Sequence, residues 1–600
     1  MFDNWFVIAI AFGYLLLLFI IAEFGERFLQ AEKPKPWIYS LSLAIYCTSW
    51  AMYGTVAQAQ LTGWYIAPTY VGSILLFIFA WPMLLKITQL AKQNNITSIA
   101  DFIAGRFGGS HMLGGLVVII CIVAIVPYIS LQLKAIVNSY LIVSSNPVNI
   151  QQDFTTTSLW QDTALYVTAI LAIFTILFGT RKIDATEHHL GMMLAIAFEA
   201  IIKLIAFLAV GLISVYLLFD GFADLWQQAN SNPITQAILE NKQPSFIYIT
   251  QVLLGMIAIL CLPRQFHVLV VENRSKKELM SSRWIFPSYL LLINFFILPI
   301  ALAGSIYFQD GSVSAEDFVL MLPSVANSQS VSLLVFIGGL SAATAMIIVA
   351  TIVLSTMISN EMIVPFFVKF FSFEFMESKH LGKYLLNIRR LFIIVILLLS
   401  YAYYRAIAVS VGLAASGLLS MALIAQLAPA LIIGVYWKRC NHRAATAGLI
   451  AGLALWSYTL LLPLLSSSGL ISSAIVDFGP WGIGLLKPTQ LFGLYGFDQI
   501  THGVSWSLSA NLFLLLYLSF KTEQSVKEKQ QTEQFLSADP NSQNVVSTKN
   551  NTIEAKDLVL LAERFVGKSQ AVHAFQQFCD NHKLQQLDDA NIDQLTQYTK

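Results

Sequence analysis

Long runs of apolar residues alternate with short polar segments along the first 520 residues of the chain. A run of about 18 residues or more can cross the ~30 Å hydrocarbon core of a bilayer as a helix. Runs of this kind lie near residues 4–29, 38–58, 65–88, 113–143, 163–180, 190–219, 246–263, 284–308, 331–365, 388–409, 412–436, 443–464 and 502–520. The pattern predicts an all-α integral membrane protein with about 13 transmembrane helices.

The chain changes character after residue 520. Residues 521–556 are polar, with few large apolar side chains, which is typical of a linker. From residue 557 apolar positions recur at helical spacing and are still recurring at Lys600. We therefore predict a transmembrane domain over 1–520, a polar linker over 521–556 and a partial cytoplasmic helical domain over 557–600.

The basic residues between the predicted helices lie mostly on one side of the membrane. The loops after helices 1, 3, 5, 7, 9 and 11 hold 21 Lys and Arg residues, and the opposite loops hold three. Loops rich in Lys and Arg stay in the cytoplasm. This predicts an outward N-terminus and a cytoplasmic C-terminus in a bacterial inner membrane. The 21 basic residues include five that we assign to the loop after helix 7: Arg264, Arg274, Lys276, Lys277 and Arg283.

The composition agrees with a membrane protein and excludes several functions. The chain is 56% hydrophobic and 12% charged, whereas soluble domains have roughly 25% charged residues. A net charge of +1 gives no basic surface for nucleic acid. The sequence has no phosphate-binding glycine loop, no metal-ligand spacing and no nucleophile elbow. We expect neither an enzyme nor an organic cofactor.

Predicted helix 2 carries a cluster of small, hydroxyl and aromatic residues, and predicted helix 7 carries Thr250, Gln251 and Gly255. If helices 2–6 and 7–11 form two repeats of opposite orientation, these two helices occupy equivalent positions. Transporters often bind solute where such helices are interrupted near the membrane midplane. The alternative is that small and polar residues only pack helices together. The candidate solute-binding residues are Thr48, Ser49, Trp50, Tyr53, Gly54 and Gln251.

Three ionisable residues lie inside predicted helices: Lys134, Glu199 and Lys203. A charge at the centre of a membrane helix costs roughly 2.5–3.5 kcal/mol and needs a partner or a watery path. Glu199 and Lys203 are four residues apart on one face of helix 6, in the favourable order for an ion pair. They are either a structural pair or a proton-coupling or gating pair. Lys134 has no partner nearby in the sequence, and both interpretations stay open for it.

Three segments resemble the sodium/solute symporter family: LCLPRQFHVLVVEN (260–273), FGTRKIDATEHH (178–189) and LAPALIIGVYWKRCNHRAATAGLIAG (427–452). The first two are similar to the branch that is fused to sensor histidine kinases, the CbrA-type regulators. AERFVGKSQAVHAFQQF (562–578) resembles the STAC linker domain of that branch. The resemblance implies the inverted-repeat fold of the amino-acid transporter LeuT, an amino acid as the solute and a histidine kinase as a partner.

The same resemblance implies a sodium site between helices 2 and 9. Its backbone carbonyl ligands would fall at Ala44, Cys47 and Ala342, and its two hydroxyl ligands at Ala345 and Met346. Sodium requires oxygen ligands, which methyl and thioether groups do not supply. An alignment shifted by one position would bring in Thr344. We predict a degenerate ion site and keep both Na+ and H+ as possible coupling ions.

These observations favour a transporter-like membrane sensor. It would bind a small nutrient, could also take it up, and would signal to a histidine kinase in a two-component system. The alternative is a plain secondary transporter, a solute symporter whose tail is only regulatory. A membrane anchor for a partner protein would explain the tail but not the polar residues of helix 2. The expected partners are a small-molecule solute, the lipid bilayer and the kinase.

Overall fold

The computed structural model describes residues 2–28, 33–144, 159–179, 190–370, 381–408 and 412–536. The chain divides into two units. One unit comprises residues 1–362 and 386–536, and the other comprises residues 363–385 and 537–600. The predicted STAC-like domain over 557–600, most of the linker and most of the segment 178–189 lie outside the described residues.

The described residues are helical over most of their length. The helices of the first half are α1 (Asn4–Phe28), α2 (Pro36–Ser42), α3 (Thr55–Thr62), α4 (Pro68–Phe79), α5 (Trp81–Gln93), α6 (Ile99–Arg106), α7 (His111–Val143), α8 (Thr163–Gly179), α9 (Leu190–Leu212), α10 (Phe222–Ser231), α11 (Pro233–Glu240), α12 (Ser245–Cys261) and α13 (Pro263–Phe266). Those of the second half are α14 (Lys276–Asn294), α15 (Ile297–Tyr307), α16 (Phe318–Val325), α17 (Gln329–Ile358), α18 (Val364–Phe370), α19 (Leu381–Tyr403), α20 (Leu413–Ile424), α21 (Gly434–Tyr436), α22 (His442–Trp456), α23 (Leu462–Ser467), α24 (Ala474–Phe478), α25 (Gln499–Lys521) and α26 (Val526–Leu536).

The apolar helices identify a multi-pass membrane protein. Within the described residues, nine stretches are long and apolar enough to cross a bilayer, and the bent pairs α4–α5 and α11–α12 raise the number to 11. The two remaining predicted spans are also helical. One of them, α8, is a shorter apolar helix, and the other is the interrupted stretch from α2 to α3.

Predicted helix 2 is broken near its middle. A 3-10 turn over Leu43–Tyr46 follows α2, and Cys47 then adopts an extended conformation with a ψ of 94°. The helix resumes as a π turn over Trp50–Gly54 that leads into α3. A break of this kind removes the intrahelical hydrogen-bond partners of the carbonyl groups that precede it.

Predicted helix 7 is broken at the corresponding place. It ends at Cys261, and Leu262 is extended with φ −62° and ψ 124°. Pro263 then starts α13, and a π turn over His267–Val271 continues it. A proline disfavours helical geometry at the residue before it and is tolerated at the first helical position, so Leu262-Pro263 both stops and restarts the helix. Helix 2 is therefore interrupted inside its predicted run, whereas helix 7 is continuous past Gln251 and breaks only at the end of its run.

Glycines let the helices around the two breaks approach closely. A Cβ atom at Gly72 of α4 would collide with the Val252 carbonyl oxygen of α12, and one at Gly255 of α12 would collide with the Thr69 carbonyl oxygen of α4. Small residues of this kind are how membrane helices pack without a hydrophobic driving force. On the other side, Gly338 of α17 gives room to Ala206 of α9.

Candidate functional site

A buried lysine lies at the break in helix 2. Lys203 of α9 is fully buried, and its Nζ atom donates hydrogen bonds to the carbonyl oxygens of Ala44 at 2.6 Å and of Cys47 at 2.8 Å. Backbone carbonyls inside a membrane protein need a donor or a cation. The lysine ammonium supplies both the donor and the positive charge at this break.

The carbonyl groups of Ala44 and Cys47 are two of the predicted sodium ligands, so the fit of Na+ to this site can be judged directly. Both carbonyls already accept from Lys203. Ala345 and Met346 are buried in α17 without a side-chain oxygen to offer. The nearest hydroxyl in the sequence, that of Thr344, donates to Glu199 Oε1 at 2.9 Å. The residues present do not fit Na+ at this position, and Ala342 has only its backbone carbonyl to contribute.

Glu199 lies one helical turn before Lys203 and is bound differently. Its carboxylate accepts from the Thr344 hydroxyl, and its backbone carbonyl accepts from the Ser341 hydroxyl at 3.0 Å. In the part of the chain that the structure describes, Glu199 and Lys203 attract each other electrostatically but form no direct ion pair. Each side chain ties α9 to a different neighbour, Glu199 to α17 and Lys203 to helix 2.

The residues just after the break in helix 2 bind to α7. The Thr48 hydroxyl lies 3.2 Å from the Tyr128 hydroxyl. Ser49 donates to Gln132 Oε1 twice, from its backbone nitrogen at 3.1 Å and from its hydroxyl at 2.6 Å. Tyr128 and Gln132 are four residues apart, so they lie on one face of α7 and face the break together. Neither residue is among the solute-binding candidates predicted from the sequence.

The aromatic residues of helix 2 are also buried. Trp50 is 1% exposed, and its indole N–H has no acceptor among the described residues. Its ring packs on Gly54, where a Cβ atom would collide with it. The Tyr53 hydroxyl accepts from Ser139 of α7 at 3.1 Å. Thr48, Ser49, Trp50, Tyr53 and Gly54 therefore all lie in the protein interior, and a role in solute binding remains a prediction for each.

Gln251, the candidate on helix 7, is bound to helix 2. Its Oε1 atom accepts from Gln58 Nε2 at 2.6 Å. Gln58 belongs to α3, and both side chains are buried. The contact joins the two broken helices away from the breaks, on the α3 side of helix 2. Gln251 therefore contacts helix 2 through Gln58, and it forms no hydrogen bond with Thr48 or Ser49. Its role in solute binding remains a prediction.

Arg264 was counted as a residue of the loop after helix 7, and this was wrong. It belongs to α13 at the break itself and is fully buried. Its guanidinium carbon lies 4.6 Å from the centre of the Tyr128 ring. The cause is the break at Leu262-Pro263, after which the chain continues as a buried helix instead of entering a loop. The only signal in the sequence was the proline directly after the apolar run.

Lys134 of α7 has a partner that lies far away in the sequence. Its Nζ atom is 3.7 Å from Glu316 Oε2, and Glu316 Oε1 also accepts from the backbone nitrogen of Leu413 at 2.5 Å. Glu316 therefore joins α7 to the start of α20. In the connecting segment beside it, burial raises the pKa of Asp317 to about 7, and the neighbouring Glu316 adds to the increase while Lys134 opposes it.

The segment predicted as a linker begins with an ordered helix, α26. Phe535 is buried against the ring of Phe102, with ring centres 5.2 Å apart. Arg106 of α6, itself buried, donates to the Thr532 hydroxyl at 3.1 Å. Glu528 accepts from the backbone nitrogen of His442 at 2.6 Å. The start of the tail is thus bound to the ends of α6 and α22.

Most of the chain has the fold of membrane transporters of the LeuT type. A solved structure of a Na+-coupled sialic acid symporter, in a substrate-bound outward-open state, matches with a TM-score of 0.60 and 12% identity over 88% of this chain and 99% of that chain. This match confirms the expected fold class. The number of helices that truly cross the membrane and their orientation remain predictions.

Sequence similarity points in the same direction. The uncharacterized symporter YodF of Bacillus subtilis (strain 168) is 24% identical over 223 residues, which cover 32% of this chain and 44% of the relative. The match thus spans less than half the length of that relative. No family model matches the chain. These similarities support the resemblance to sodium/solute symporters, whereas the kinase fusion and the STAC-like domain remain predictions.

Proposed function

We propose that this chain is a solute transporter of the symporter type that binds a small organic solute between the breaks of helices 2 and 7. One observation carries the proposal: both breaks face the same side chain. Thr48, just after the first break, lies 3.2 Å from the Tyr128 hydroxyl, and Arg264, just after the second, lies over the Tyr128 ring. Facing helix breaks near the midplane are where transporters with inverted repeats bind solute.

The coupling ion that we propose is the proton. The structural relative is Na+-coupled according to its description, but in this chain Lys203 holds the carbonyls of Ala44 and Cys47 that would bind sodium. A tethered ammonium cannot leave with the solute, but it can gain or lose a proton. Glu199, one turn away and bound to Thr344, is the group best placed to exchange charge with it.

The test uses the purified full chain in liposomes, with uptake of a panel of radiolabelled amino acids and small organic acids. We expect uptake to persist when choline replaces sodium and to depend on an imposed pH gradient. Thr48→Ala and Ser49→Ala should weaken uptake, whereas Gln534→Ala on the exposed face of α26 should not. A strict sodium requirement would exclude proton coupling. Unchanged uptake in both helix 2 variants would place solute binding elsewhere.

A sensing role is the second function that we propose, with signalling to a histidine kinase through the tail. It is favoured by the contacts of α26 with Arg106 and His442, because a helix bound to the ends of α6 and α22 can report their movement to residues beyond 536. Spin labels on α26 and α6 would test this. Solute should change their separation by several ångströms. An unchanged separation, with transport intact, would favour a plain symporter with a regulatory tail.

A further inference from the structure

Among the described residues, Arg106 and Arg264 are the fully buried arginines, and they differ in how their charge is satisfied. Arg106 donates to the carbonyl oxygens of Gly434 and Trp437 and to the Thr532 hydroxyl. Arg264 is 0% exposed, and its three side-chain nitrogens have no acceptor of good hydrogen-bond geometry among the described residues, where the Tyr128 hydroxyl is the side chain near enough to contribute. A buried cation with so little hydrogen bonding is costly, so it favours a further partner that the folded chain itself does not supply.

The surroundings of Arg264 contain other polar atoms without partners. The Trp50 Nε1 and Gln265 Oε1 atoms are buried and lack a hydrogen-bond partner among the described residues, and the buried Tyr70 hydroxyl has the weakly hydrogen-bonding Cys47 thiol beside it. The Trp50 and Tyr70 rings lie 6.2 Å apart. These atoms belong to helix 2, α4 and α13, which meet at the breaks. They offer donors and acceptors to a polar solute, and the aromatic rings offer it an apolar wall.

The charges around the breaks do not balance. The groups that act most strongly on Arg264 are the phenols of Tyr128 and Tyr46, and Lys203 is near enough to repel it. Glu199 is the acid that interacts with Lys203, and its carboxylate already accepts from Thr344. Two buried basic side chains therefore face one buried acidic side chain. A further acidic group would be attracted to this region.

We propose that Arg264 binds the carboxylate group of the solute, which makes the solute a small organic acid or an amino acid. A planar guanidinium matches a carboxylate through two parallel hydrogen bonds, and such a contact is both strong and specific. The proposal rests on the proposed transport function and names its substrate class. The guanidinium carbon lies 4.6 Å from the centre of the Tyr128 ring, and this cation–π contact restrains the arginine side chain at the break.

The test measures ligand-induced thermal stabilisation of the full chain in lipid nanodiscs. The probes are the twenty common amino acids and C2–C6 carboxylic acids, each paired with its carboxamide. We expect at least one carboxylate to stabilise the wild type, and its carboxamide to bind about tenfold more weakly or worse. Arg264→Gln should abolish this preference. Arg264→Lys should retain part of it, because the positive charge remains but the two parallel hydrogen bonds of the guanidinium are lost.

The ligand-free variants provide a matched control for folding. Removing an unsatisfied buried charge should not destabilise the chain, so the Tm of Arg264→Gln should equal or exceed that of the wild type. Arg106→Gln should lower the Tm, since it breaks satisfied hydrogen bonds. If Arg264→Gln lowers the Tm as much as Arg106→Gln does, Arg264 is a structural residue and the proposal is wrong.

Two further outcomes separate this proposal from the proposed function. If the wild type binds a carboxylate and its carboxamide equally, or if Arg264→Gln keeps the wild-type preference, the assignment of Arg264 is wrong while solute binding stands. If no probe stabilises the wild type and none is taken up into liposomes, the proposed function fails together with the carboxylate site.

Discussion

The Nζ atom of Lys203 lies 2.6 Å from the carbonyl oxygen of Ala44, at the point where helix 2 is broken. Cys47 supplies a second carbonyl at 2.8 Å. Carbonyls at such a break attract a cation, and here the cation is covalently part of α9. A bound metal ion can dissociate, whereas this ammonium can leave its carbonyls only by moving its side chain or by losing a proton. The conformation of helix 2 at its break therefore depends on whether Lys203 is protonated.

Replacing Lys203 should expose the remains of an ion site. Lys203→Ala leaves the buried Cys47 carbonyl without its donor and the Ala44 carbonyl with only the Cys47 N–H, which should destabilise the chain by about 1–3 kcal/mol. The triple variant Lys203→Ala, Ala345→Ser, Met346→Thr adds the hydroxyls that a sodium site needs. We expect its Tm to rise with NaCl but not with choline chloride, and the Tm of the wild type to respond equally to both. Sodium-specific stabilisation of the wild type would contradict this prediction.

Glu199 and Lys203 should be energetically coupled although they do not touch. Lys203→Met leaves a buried carboxylate without its nearest cation, and Glu199→Gln leaves a buried ammonium beside Arg264. We expect the double variant to be less destabilised than the sum of the single variants, with a coupling of about 1–3 kcal/mol. A double-mutant cycle of thermal or chemical unfolding measures it. Additive effects would show that the two charges act independently.

The fold and the break in helix 2 could be predicted because their signals are local in the sequence. The length of an apolar run determines whether it can span a bilayer. The break in helix 2 coincides with Thr48 and Ser49 inside an apolar run, whereas the break in helix 7 lies at Pro263, at the end of its run, and not at Gln251, where the interruption was expected. Each of these signals is contained in fewer than twenty residues, so no knowledge of tertiary contacts was needed.

The composition of the site could not be predicted in the same way. The acceptors of Lys203 are backbone carbonyls that lie 159 and 156 residues away, and a backbone carbonyl leaves no mark in a sequence. The carboxylate four residues from Lys203 was the obvious partner, but it binds Thr344 instead. Arg264 was placed in a loop because charge counting assumes that a helix ends where its apolar run ends. A broken helix violates that assumption.

The contacts of α26 should depend on one buried ring. Phe535 is 4% exposed, whereas Gln534 beside it is exposed. Phe535→Ala should remove about 3–5 kcal/mol of packing, which is enough to detach a short helix. Hydrogen exchange of the amides of residues 526–536 should then rise strongly, with no change in the helices around Lys203. Gln534→Ala is the control. Retained protection in Phe535→Ala would mean that Arg106 and Glu528 suffice to hold α26.

The stability of the chain should depend on pH through Asp317. Burial raises the pKa of Asp317 from 3.8 to about 7, so the folded chain binds this proton more tightly than the unfolded chain does. Wild-type stability should therefore fall as the pH rises from about 4 to about 7 and then level off, with an upper limit of about 4 kcal/mol for this group.

Asp317→Asn should remove this dependence. The Tm difference between Asp317→Asn and the wild type should be smallest near pH 4, grow steadily up to about pH 7 and change little beyond it. Asp310→Asn is the control, because hydrogen bonds from Ser312 lower the pKa of the exposed Asp310, which is therefore ionised throughout this range. A Tm difference for Asp317→Asn that does not change between pH 5 and pH 8 would show that Asp317 is charged in the folded chain. In that case Lys134 outweighs the effect of burial.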